Sequence, residues 1–113
     1  MPILKGKPTL RDFQRYVEKM ERERGFDDET MLQRCLLLGE EVGELFKAVR
    51  KREGMGIDPE SAISAIEDEI ADVFIMLCCI AEKYNIDIEA AFRTKEEKNA
   101  KRTWIKHGDN KDI

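Results

Sequence analysis

A chain of 113 residues, 42% hydrophobic and 39% charged, has room for one domain with a modest core and gives no sign of a second. Lys and Arg total 20 against 24 Asp and Glu, a net charge of −4 with the two signs interspersed, which argues against a general nucleic-acid binder. Three cysteines in apolar runs, Cys35, Cys78 and Cys79, read as buried reduced thiols. The longest apolar run, Ile70 to Ala81, is broken by Asp72 and too short to span a bilayer; with no signal-peptide core between Met1 and Lys7, the expected location is the cytoplasm.

Four helices are predicted, over about 9–24, 29–52, 59–84 and 88–102, followed by a polar tail over 105–113. In the first, Thr9-Leu10-Arg11-Asp12 has the form of a capping box, Leu10, Phe13, Val17 and Met20 recur at helical spacing, and Gly25 supplies a stop. Asp27 or Asp28 can cap the second, which ends at Gly54-Met55-Gly56. Asp58-Pro59 has the form of an N-cap and first-turn proline for the third, and Asn85 ends it. Asp87 can cap the fourth, whose Ile88, Ala91, Phe92 and Lys95 share a side. No segment alternates as a strand does, so the fold class is all-α, a four-helix bundle-like domain over 1–113.

Two acidic clusters interrupt these apolar helices: Glu40-Glu41-Val42-Gly43-Glu44 and Glu69-Ile70-Ala71-Asp72. Carboxylates three apart on a helix project from one face, so Glu41 with Glu44, and Glu69 with Asp72, each form a pair of oxygen donors. A helical wheel puts Leu32, Cys35, Leu36, Val42 and Phe46 on the main apolar face of helix two. Leu37 and Ala48 share the stripe of Glu41 and Glu44. In helix three Ile66, Ile70 and Leu77 form the main apolar face, while Ala65, Val73 and Met76 surround Glu69 and Asp72. Carboxylates in apolar stripes need a counter-ion, and an antiparallel hairpin of the two helices would bring both pairs face to face. An all-oxygen donor set suits Mg²⁺ or Mn²⁺. Either motif alone arises by chance on many solvated helices; the information lies in their combination.

Other chemistries are poorly served. The lone histidine, His107, sits in the polar tail, so the Glu-x-x-His of a di-iron bundle and the Ser-His or Cys-His arrangements of nucleophilic catalysis are missing. Gly39 and Gly43 lie within a helix, where they permit close packing, and make no phosphate loop.

The pattern Glu40-Glu41-x-x-Glu44, then Glu69-x-x-Asp72, resembles the EExxE and ExxD signature of the MazG-like nucleoside triphosphate pyrophosphohydrolases. The likeness extends to Leu36–Leu45 and to Lys95–Trp104, which is similar to the family's K-x-x-x-N-x-x-R segment, and covers about residues 9 to 104. The resemblance implies an all-α homodimer or homotetramer that hydrolyses (deoxy)nucleoside triphosphates to monophosphate and pyrophosphate with Mg²⁺. It implies Glu41, Glu44, Glu69 and Asp72 as metal ligands and Glu40 as a catalytic helper beside Glu41. Lys95, Asn99 and Arg102, on one side of helix four, are candidate substrate contacts; an exposed charged face explains their spacing equally well. Lys47 and Lys51 read as surface lysines. Phe13 and Trp104 are candidates for base stacking or for core packing, and Met76 stands where several relatives carry a tyrosine.

Helices two and three are apolar over more of their circumference than one hairpin covers, which also predicts at least a homodimer. The alternative from another class is a non-enzymatic helical interaction module with a structural cation.

Overall fold

The computed structural model describes residues 1–56, 58–60 and 63–103; Trp104, His107 and the predicted tail lie outside them. Four helices follow one another: α1 (Leu10–Arg24), α2 (Met31–Arg52), α3 (Ile66–Lys83) and α4 (Ile88–Ala100). Among the described residues there is no strand.

Local chemistry sets most of the ends. Thr9 and Asp12 close the predicted capping box, with Thr9 N–H donating to Asp12 Oδ2 at 2.8 Å and Asp12 N–H to Thr9 Oγ1 at 3.2 Å. Gly25 terminates α1 at φ 77°, a left-handed conformation that costs a glycine little. The cap of α2 is Thr30, neither Asp27 nor Asp28. Thr30 and Gln33 satisfy each other's N–H groups at 2.8 and 3.1 Å, a reciprocal pairing that a lone aspartate does not provide. Asp87 caps α4 as predicted, accepting from Ala90 N–H at 3.2 Å.

The third helix starts at Ile66, not near residue 59. Asp58 Oδ1 accepts from Glu60 N–H at 3.0 Å, but the turn it closes does not propagate: Ile63, Ser64 and Ala65 are non-helical, and Ala65 is extended at ψ 150°. The Ser64 hydroxyl reaches over the helix start and donates to Glu69 Oε1, which fixes where the chain enters α3.

The helices pack as two pairs sharing α3. Val17 and Met20 of α1 bury against Cys78 and Cys79 of α3, with Tyr16, Phe74, Ile75 and Ile88 around them. Phe13 meets Phe74 edge to face, centroids 5.6 Å apart, so its ring serves helix packing rather than a base. On the other side α2 lies antiparallel to α3: Glu41 is level with Glu69 and Asp72, and Ala48 with Ser64 to Ile66.

The orientation of this hairpin reverses one expectation. The face of α2 predicted as core points outward, with Leu32 70%, Leu36 66% and Phe46 62% exposed and Cys35 exposed beside them. On α3, Ile70 and Leu77 are exposed as well. The seam is formed instead by the stripes that carry the acids, where Ala48 and Glu69 are buried. Small residues let the backbones approach there, and the bulkier apolar faces turn away. Gly39 and Gly43 share the outward-facing half of α2, and the close packing expected of them is not made among the described residues.

Candidate metal centre

Glu41 of α2 and Glu69 and Asp72 of α3 converge, one carboxylate oxygen of each lying within 4.8 Å of the others. Glu69 is only 5% exposed, Glu41 half-buried and Asp72 at the mouth. Burial, then the charges of Asp72 and Glu69, raises the Glu41 pKa; burial, then the charges of Glu69 and Asp68, raises that of Asp72. Glu67, Asp68 and Glu69 sit in the first turn of α3, where the exposed N–H groups and helix dipole offset part of this repulsion.

One atom tests whether a cation fits. Glu69 spends Oε1 on the Ser64 hydroxyl, while its buried Oε2 has no hydrogen-bond partner among the described residues. A buried carboxylate oxygen left so is costly, by about 1–3 kcal/mol or more. An oxygen-only cluster with such an atom at its centre matches a hard divalent cation, which takes carboxylates and keeps waters.

Of the other predicted residues, Glu44 lies one turn beyond Glu41, half-buried, outside the group of three. Glu40 is exposed at the next position around α2. Met76, half-buried, follows Asp72 by one turn of α3. Lys95, Asn99 and Arg102 belong to α4 and the turn after it; α4 packs on α1 and not along the α2–α3 seam that carries the acids. Asn99 donates to Glu96 Oε1 at 3.1 Å.

Sequence reasoning missed Ser64. Its signal is legible in retrospect: with α3 starting at Ile66, Ser64 and Glu69 occupy the two positions that a hydrophobic staple links across a helix start, here bridged by a polar bond. Also missed was a recess of about 460 Å³ adjoining the acids and lined by Ala48, Lys51, Arg52, Ile63, Ser64, Ala65, Ile66 and Glu67. A smaller recess of about 230 Å³, between α1 and the α3–α4 turn, lies apart from the carboxylates; there Arg11 is already paired with Asp87 at 3.2 Å.

Comparison with known proteins gives the family and the fold. The model of the MazG nucleotide pyrophosphohydrolase domain matches residues 26–104, a span that includes all three converging acids. Among solved structures, a candidate pyrophosphatase, YPJD from Bacillus subtilis, superposes with a TM-score of 0.74 at 27% identity, covering 88% of this chain and 100% of that one. No curated protein matches.

Proposed function

Because the chain belongs to the MazG nucleotide pyrophosphohydrolase family, we propose that it hydrolyses (deoxy)nucleoside triphosphates to the monophosphate and pyrophosphate, in a Mg²⁺-dependent reaction that cleanses the nucleotide pool. The observation that carries this reading is the carboxylate triad with its unpartnered Glu69 Oε2. Glu41, Glu44, Glu69 and Asp72 would hold Mg²⁺, with Mn²⁺ as a substitute. When bound, the cation neutralises charge on the phosphates and lowers the pKa of a coordinated water.

The chain's own groups have distinct tasks. Glu40, exposed beside Glu41, orients the attacking water and takes its proton. The water oxygen bonds to the α-phosphorus as the bridge to the β-phosphate breaks, and pyrophosphate leaves with the electron pair. Ser64 holds Glu69 by its Oε1, so that Oε2 keeps its aim. Lys95, Asn99 and Arg102, which follow the family's basic segment, would reach phosphate or sugar from a second copy in the proposed oligomer, because α4 packs on α1 and not along the acidic seam of its own chain.

The enzyme works as a homodimer or homotetramer. The exposed face of Leu32, Leu36, Phe46, Ile70 and Leu77 is where a second copy would dock. Among the described residues no helix is long and apolar enough to cross a membrane, and the proposed location is the cytoplasm.

Product analysis in ¹⁸O-labelled water with Mg²⁺ and a panel of nucleoside triphosphates tests the reaction. Labelled monophosphate with unlabelled pyrophosphate is expected, with activity reduced at least a hundredfold in Glu41→Gln and Asp72→Asn, about 3 kcal/mol of lost transition-state stabilisation. Release of orthophosphate, label in the pyrophosphate, or full activity in both variants would contradict it.

A further inference from the structure

The 460 Å³ recess is built on the same stripe of α2 as the metal-site acids. Glu41, Glu44, Ala48, Lys51 and Arg52 follow at i, i+3, i+7, i+10 and i+11, so the recess begins one turn beyond Glu44 and its basic end lies about 10 Å along the helix. The two spaces touch through one bond: Ser64 lines the recess and donates to Glu69. Its volume falls within the 300–1,000 Å³ of small-molecule sites, and Ala48, Ile63, Ala65 and Ile66 give it apolar walls. A pyrophosphate group would use neither the volume nor the walls.

The charged groups at its rim are unbalanced. Lys51 and Arg52 have no side-chain ion-pair or hydrogen-bond partner among the described residues, whereas neighbouring Arg50 donates to Gly56 O at 2.8 Å. Glu67 is the one carboxylate among the described residues of the lining. Lys offers three N–H donors and Arg five, and neither can accept; a guanidinium also stacks on flat rings.

We propose that this recess seats the nucleobase of the substrate, and that Lys51 and Arg52 make the enzyme selective for bases with a carbonyl oxygen at pyrimidine C4 or purine C6 (uracil, thymine and guanine) over those with an amino group there (cytosine and adenine). The proposal rests on the reaction proposed above, with the triphosphate at the acids and the base further along the α2 stripe. A carbonyl at the exocyclic position accepts from either cation, while an amino group there sets donor against donor. Ala48 and the isoleucines cover the ring faces, and the sugar spans the stretch beside Ser64.

The test is steady-state kinetics of the full chain with Mg²⁺ on the deoxyuridine, thymidine, deoxyguanosine, deoxyadenosine and deoxycytidine triphosphates, beside Lys51→Ala, Arg52→Ala and Lys51→Arg. Both residues are exposed, so the variants should fold. The parent should favour the carbonyl bases about tenfold in kcat/KM. Each alanine variant should flatten that ratio through KM with kcat retained, and Lys51→Arg should keep it. No base preference in the parent, or unchanged ratios in the variants, would overturn the assignment. So would a preference for adenine and cytosine, which would hand the reading to Glu67. An equal loss on all five nucleotides with weakened inhibition by pyrophosphate would place the cations on phosphate instead. Failure of the reaction itself would appear as no monophosphate from any nucleotide. Calorimetric binding of the five monophosphates would then still rank the bases, and equal affinities would sink the recess on its own.

Discussion

Glu41, Glu69 and Asp72 share a partly buried space, and burial first, then the charges of neighbouring carboxylates, raises the pKa values of Glu41 and Asp72. A carboxylate whose pKa is higher folded than unfolded contributes stability that is fully present below its unfolded value, ordinarily 3.8 for Asp and 4.5 for Glu, and lost as pH rises through the folded one. At neutral pH the metal-free protein therefore bears the full penalty. Glu41→Gln and Asp72→Asn, which keep shape and remove charge, should raise the melting temperature of the metal-free protein at pH 7–8, with the gain vanishing as the pH falls towards 4. Saturating Mg²⁺ should stabilise the parent and do little for the variants. Thermal melts across pH, with and without Mg²⁺, check both; a gain that grows towards low pH would count against the charge repulsion. Cys78 and Cys79 respond differently: burial, then Glu82 for one and a bond to Glu21 for the other, pushes their thiols to about 11 and about 12, which keeps them neutral and inert.

At the level of helices, two polar clamps do what the small core cannot. Gln14 of α1, 3% exposed, donates to Ile86 O at 2.8 Å and to Glu82 Oε1 at 3.2 Å, and accepts from Ile88 N–H at 2.9 Å. It thereby ties the α3–α4 turn, where Asn85 stands at φ 54°, to the middle of α1. Gln14→Leu preserves bulk but leaves a carbonyl and an N–H without partners. It should destabilise the fold by about 2–3 kcal/mol in urea unfolding and speed hydrogen exchange at the start of α4 more than in α2. Uniform exchange effects across all helices would argue against a local clamp. The second clamp is the ion pair of Glu21 and Arg34, 5% and 4% exposed, with Arg34 also donating to Phe26 O at 3.3 Å. It joins α1 to the start of α2, where α2 buries few other groups.

For the molecule as a whole, the apolar surface is distributed in favour of association. Among the described residues only Val17, Met20, Ala48, Cys78, Cys79 and Ala81 are buried apolar residues, while the largest side chains of the α2 outer face remain open to water. Such a core is thin for a chain of this size, and covering the outer face supplies what it lacks. In the proposed dimer, Leu36→Glu should place a charge in the interface and yield monomer by light scattering at micromolar concentration, with a lower melting temperature. Cys35, on the same face, should then react with a thiol reagent that it resists in the parent. A parent that scatters as a monomer would remove the dimer from the proposal.

Helix identity, most caps and the two acidic motifs were written in local chemistry: Thr9 with Asp12, Gly25, Asp87 and the spacing of Glu41, Glu69 and Asp72 are read from neighbours in the chain, and local hydrogen bonds or helical pitch enforce them. The face each helix turns inward was not. Amphipathicity says that α2 and α3 have apolar sides but not which surface those sides meet. With α2 and α3 meeting through Ala48 and the acids, the face of Leu32, Leu36 and Phe46 was left outside. The delayed start of α3, Ser64 on Glu69 and the recess at Lys51 and Arg52 were likewise settled only by tertiary structure, because each depends on where the end of one helix stands against the beginning of another.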